Sequence, residues 1–156
     1  MSSERVPECV YGTCVAIEGA GALLRGPSGS GKSDLAYRLI THHDALLVAD
    51  DQVTVRSVEG VLTASALEGW EGQVELRGLG ILTVPHTRTT PIALAVDLVG
   101  RGEVPRLPEP AYMTLLGVEV PLIRLHAFDL TAPAKVIVAT RHLPRSGFPG
   151  DDGRFG

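Results

Sequence analysis

The chain has 156 residues, 44% hydrophobic, 21% charged and 4% aromatic, with 18 glycines. It is long enough for one sizeable core and too short for two full domains. A formal net charge of −4 argues against a polyanion-binding surface, which needs a basic face to displace condensed counterions, so no nucleic-acid partner is expected.

The start, "MSSERVPECV", has no positive charge followed by an apolar run, and no apolar stretch approaches the ~18 residues that span a bilayer. The expectation is a cytoplasmic protein without membrane insertion. Cys9 and Cys14 are too far apart for a CxxC motif and lack a second pair to complete a zinc site, so reduced thiols are expected.

In chain order, "TCVAIE" and "GALLRG" read as two strands joined by a tight turn in "GAG". The second strand runs into "GPSGSGKS", which matches G-x-x-x-x-G-K-[ST] at every position. "KSDLAYRLITHH" then places Leu35, Ala36, Leu39 and Ile40 at helical spacing, behind Ser33 and Asp34 at the helix start. Small residues let such a loop fold around phosphate oxygens at a helix N-terminus. The phosphate-binding set is therefore Gly26, Pro27, Ser28, Gly29, Ser30, Gly31, Lys32 and Ser33. Lys32 is expected to reach the β- and γ-phosphates of ATP, and the Ser33 hydroxyl to meet Mg²⁺. The chain uses lysine at just one other position, Lys135, which adds weight to a functional Lys32. His42 and His43 are expected in solvent, at a helix C-terminus whose dipole favours a cation.

"ALLVADD" reads as a buried strand ending in two acids. Asp50 and Asp51 point in opposite directions if extended, so one can stand near Mg²⁺ while the other faces an incoming hydroxyl as a general base. "QVTVRSVEGVLTAS" predicts a hairpin turning at Glu59-Gly60. "ILTV", "PIALAVDLVG" and two segments of "YMTLLGVEVPLIRL" read as strands, "APAKVIVATRHL" as a helix or a strand, and "PRSGFPGDDGRFG" as a mobile tail.

"VELRGLGILTV", Val74 to Val84, resembles the signature of the HPr kinase/phosphorylase family, bacterial enzymes that phosphorylate a serine of the phosphocarrier HPr. The order of phosphate loop, Asp-Asp strand and signature agrees as well. The resemblance covers about Val10 to Val138 and corresponds to the catalytic domain, in the short form found in alphaproteobacteria. It implies an α/β fold: a P-loop domain like that of phosphoenolpyruvate carboxykinase, with a strand-rich core and few helices. The expected division is an N-terminal extension over 1–9, a catalytic domain over 10–143 and a flexible tail over 144–156.

The resemblance also implies ATP on Gly26–Ser33, Mg²⁺ on Ser33 and Glu75, and Asp51 as the base for the acceptor serine, which leaves Asp50 as the strand-end acid expected near Mg²⁺. Lys32, Arg77 and Arg106 complete the implied catalytic set. Arg77 can contact the transferring phosphoryl or fix the signature loop by pairing with Glu75 or Glu71. Arg106 aligns loosely with a family arginine and otherwise reads as a solvated surface side chain. Where the family has a functional histidine this chain has Tyr11, and a phenol does not replace an imidazole as an acid–base group. Weak phosphorylase activity is therefore expected.

The leading reading is an ATP- and Mg²⁺-dependent serine kinase acting on HPr or a relative, as a homo-oligomer like other members. The alternatives are a nucleotide-sensing module that regulates a partner such as a sensor kinase, and a small-molecule kinase.

Overall fold

The computed structural model describes residues 6–149. Its chain order is β1 (Glu8–Tyr11), β2 (Thr13–Ile17), β3 (Ala20–Arg25), α1 (Lys32–His43), β4 (Leu46–Ala49), β5 (Gln52–Val58) and β6 (Val61–Ser65). There follow β7 (Gln73–Leu76), β8 (Gly80–Thr83), β9 (Thr89–Leu98), β10 (Tyr112–Leu115), β11 (Val118–Leu125) and α2 (Ala132–Ser146). The strands form one large mixed sheet in the order β1-β5-β6-β9-β3-β2-β4, with β11 joined to β9 and β10 to β11. β7 and β8 pair only with each other. This is the strand-rich α/β, P-loop type expected.

β9 is the spine of the sheet. Its Thr89–Pro91 end pairs antiparallel with β6, and further along it runs parallel to β3 on one side and β11 on the other. β2 is antiparallel to both β3 and β4. β3, β4, β9 and β11 therefore run the same way and finish at one edge.

Side chains sort by strand alternation into two cores. Val15, Ile17, Ala22, Leu24, Leu94 and Val96 meet α1 and α2. Cys14, Ala16, Leu23 and Ala95 face the other way, against Val53, Val55 and Leu62 from β5 and β6. All of β2 is buried, as befits a strand covered on both faces. Burial pushes the Cys14 thiol up to about 12, which keeps it protonated and unreactive at neutral pH; Cys9 is exposed, and both cysteines are free.

Several elements lie slightly off their expected places. The β2–β3 turn falls at Glu18-Gly19, both at positive φ, one residue ahead of "GAG". The Glu59-Gly60 turn is where it was expected, with positive φ at both residues, the geometry that matches strand twist. "APAKVIVATRHL" is helical and continues through Ser146, with Phe148 buried behind it against Tyr112. Ordered structure thus extends past residue 143, because α2 carries an apolar stripe that Leu143 and Phe148 prolong; residues 150–156 of the expected tail lie outside the described residues. At the other end, Glu8 and Cys9 belong to β1 and pair with Val55 and Thr54, so the expected 1–9 extension contributes to the sheet; residues 1–5 lie outside the described residues. No helix among the described residues is long and apolar enough to cross a membrane.

Candidate functional site

The edge where β3, β4, β9 and β11 end collects four connections, and in open α/β sheets such an edge is where ligands bind. β3 leads into the Gly26–Gly31 loop and β4 into Asp50-Asp51, while β9 and β11 lead into residues 99–111 and 126–131. Just inside the edge, Arg25 of β3 grips Asp97 of β9 with two hydrogen bonds, Nε to Oδ1 at 2.8 Å and the terminal nitrogen to Oδ2 at 3.1 Å. This bidentate pair locks the two parallel strands in register immediately before the loop.

The loop turns on a Ser30 N–H to Pro27 carbonyl bond of 3.0 Å. Lys32 donates to the Gly26 and Pro27 carbonyls at 2.6 and 3.1 Å, which holds its ammonium over the loop. α1 begins without a side-chain cap, so its first N–H groups remain for an anion. The Ser30 hydroxyl is buried and makes no hydrogen bond within the described chain, which leaves one further donor for a phosphate oxygen. Gly31 stands at φ +96°, and a Cβ there would come within 2.7 Å of the Ala127 Cβ and 3.0 Å of the Phe128 ring. Only glycine fits between this loop and the β11–α2 connection.

Asp50 is the junction of the site. Its Oδ1 accepts from Ser33 Oγ and from Thr13 Oγ1, both at 2.8 Å, and its Oδ2 accepts from the Glu75 N–H at 3.1 Å. The three residues expected around Mg²⁺ thus come together, although Glu75 is anchored by its backbone and its side chain is exposed. Ser33 and Asp50 offer hard oxygens of the kind Mg²⁺ takes. Among the described residues no cluster of three or more His, Cys, Asp or Glu forms.

Asp51 is exposed at φ +67°. Its carbonyl accepts from the Gly12 N–H at 3.1 Å, so Asp50 and Asp51 occupy a turn between β4 and β5 and their separation is set by that turn, not by the strand alternation expected. Tyr11, 73% exposed, pairs with Gln52, which puts its phenol on the strand beside the Asp51 turn. His42 and His43 are exposed in the last turn of α1, as expected.

The two arginines stand apart from this cluster. Arg77 occupies the β7–β8 turn, outside either strand, and is exposed with no ion pair to Glu75 or Glu71. Arg106 is exposed in the connection that leaves β9, on the site's edge but without a hydrogen bond or ion pair. Sequence reasoning missed Thr13, which is wholly buried. A hydroxyl opening an otherwise apolar strand was its signal, but its partner Asp50 lies 37 residues away. It also missed the Arg25–Asp97 clamp and Phe128.

Comparison with known proteins gives a consistent assignment. The family model described as HPr Serine kinase C-terminal domain matches residues 5–140. HPr kinase/phosphorylase of Chloroherpeton thalassium is 32% identical over 152 residues, covering 88% of this chain and 45% of that protein. The Clostridium tetani protein of the same name is 38% identical over 91 residues, covering 58% of this chain and 30% of that one. The chain therefore spans less than half the length of these relatives. The structure of the HPr(Ser) kinase/phosphatase from Coxiella burnetii superposes with a TM-score of 0.74 at 26% identity, covering 86% of this chain and 94% of that one. With the family model spanning most of its residues and the fold agreeing, the chain belongs to the HPr Serine kinase C-terminal domain family.

Proposed function

We propose that this domain transfers the γ-phosphoryl group of ATP to a serine of an HPr-like phosphocarrier, with Mg²⁺ as cofactor. The observation that carries the reading is the meeting of Ser33, Asp50 and the Glu75 backbone at the mouth of the phosphate loop. A phosphate-binding loop is thereby joined to an acidic, metal-compatible corner and to the signature hairpin. Phosphoryl transfer asks for little more than alignment, charge neutralisation and a proton acceptor.

The loop N–H groups, the Ser30 hydroxyl and Lys32 hold and orient the triphosphate. Bound Mg²⁺ supplies charge neutralisation at the phosphate oxygens. Asp51, free of the bonds that occupy Asp50, takes the proton of the acceptor hydroxyl as that oxygen bonds to phosphorus and the bond to the β-phosphate bridging oxygen breaks, releasing ADP. Arg77 and Arg106, both exposed, are assigned to the transferring phosphoryl group once the acceptor closes over the edge. Tyr11, close to Asp51 in the strand pairing, stands where the family has a histidine, so phosphate-driven removal of the product is slow. Homo-oligomer formation follows the family resemblance. A sensor kinase is the partner in the regulatory reading, where the same site binds ATP without transferring it.

The test is transfer of labelled γ-phosphate from Mg-ATP to a purified HPr-like protein. Wild type labels the acceptor, while Lys32→Ala and Asp51→Asn lose about 100-fold or more in rate. Tight Mg-ATP binding without labelling of HPr would leave the regulatory reading in its place, and labelling of a small molecule alone would make it a small-molecule kinase.

A further inference from the structure

The β11–α2 connection holds Phe128 half in solvent, 55% exposed, in contact range of the phosphate loop at Gly31. The ring is braced from several directions. It meets His126 edge to face at 5.8 Å, and His126 Nδ1 lies 2.9 Å from the Val99 carbonyl. Arg38 of α1 donates to the carbonyls of Ala127 and Asp129, and Arg101 pairs with the Asp129 carboxylate at 2.8 Å. An apolar ring left in water by a backbone fixed at so many points has lost the burial that stabilises most aromatics. It is a platform without its second face.

The strand order says what covers it. The phosphate loop follows β3; on one side lie β2 and β4 with Asp50 and Asp51, on the other β9 and β11 with Phe128. The reacting end of a triphosphate must face the acids, so its nucleoside end runs the other way, toward β11. Resting on the nucleotide reading above, we infer that Phe128 is the stacking surface for the nucleobase. The loop holds the phosphates and the ring holds the base, through a π-face contact that any nucleobase can make.

The test compares two ligands that share phosphates and differ in the base. Calorimetric affinities of Mg-ATP and Mg-tripolyphosphate are measured for wild type, Phe128→Ala and Phe128→Tyr. Expected is a loss of about tenfold in ATP affinity for Phe128→Ala, tripolyphosphate affinity held within about twofold, and near-wild-type ATP binding by Phe128→Tyr. Unchanged ATP affinity in Phe128→Ala overturns the inference, as does equal weakening of both ligands, which marks damage to the loop. A change confined to the acceptor's KM also overturns it, in favour of a protein contact at Phe128. If wild type binds neither ligand, the nucleotide reading itself falls, an outcome distinct from failure of the Phe128 assignment alone.

Discussion

Every residue of β2 is buried, whereas the β7–β8 hairpin, which reaches the same Asp50, leaves Leu79 75% and Ile81 59% exposed. The phosphate-loop edge is made from strands far apart in sequence: β3 meets β9, β9 meets β11, and α1 and α2 cover one face. The hairpin is local, its strands joined by Arg77-Gly78-Leu79 and pairing with nothing else. It is held by Val74 in the core, by Leu76 and Leu82 packed against it, and by the Glu75 N–H on Asp50. The difference separates two tasks. The packed strands fix the ends from which the loops of the edge depart, while the hairpin tip presents its side chains outward.

The sharpest way to break this comparison is to loosen the packed region. Leu94 of β9 is wholly buried, and Leu94→Ala is expected to cost about 2–5 kcal/mol, read as a fall in denaturation midpoint. A cost below ~1 kcal/mol would mean that the spine is not the rigid part. A smaller effect comes from acid. The hydrogen bond from Arg101 holds the Asp129 carboxyl below its ordinary value, as Arg141 does for Glu18. Their folded-state values lie below the unfolded ones, so their contribution is complete above the ordinary carboxylate range and is lost as pH falls through the lowered values. Melting temperature against pH in Arg101→Gln should show a shallower acid decline than wild type, and an unaltered profile would remove the brace from the Phe128 loop. The smallest effect on stability is expected at the hairpin tip: Arg77→Ala should change it by less than ~0.5 kcal/mol while lowering transfer to the acceptor. A large loss of stability there would make the hairpin part of the rigid frame.

How far the residues alone could be read follows the same division. "GPSGSGKS" was legible because strand, loop and helix are contiguous, and the Glu59-Gly60 hairpin because its turn chemistry is local. The Leu35, Ala36, Leu39 and Ile40 stripe was legible from its period, and those four residues are the ones α1 buries. "LEGWEGQVELRG" was not, since its strand β7 has no sheet partner beyond its own hairpin and sets buried Val74 beside exposed Glu75. The ends were misjudged for a related reason. Glu8-Cys9 and Ser146–Phe148 carry weak local signals, and they are ordered by β5 and by the core under α2.

What the sequence determined by itself was the strand-loop-helix order around "GPSGSGKS", the helix behind it and the family, because each is written in a few adjacent residues. Tertiary structure alone decided that Asp50 is shared by Thr13, Ser33 and Glu75, that Asp51 is exposed in a turn, and that Phe128 leans on Gly31. Those pairings join residues 17 to 97 positions apart, brought together only where the ends of the large sheet's strands meet the phosphate loop and the separate β7–β8 hairpin.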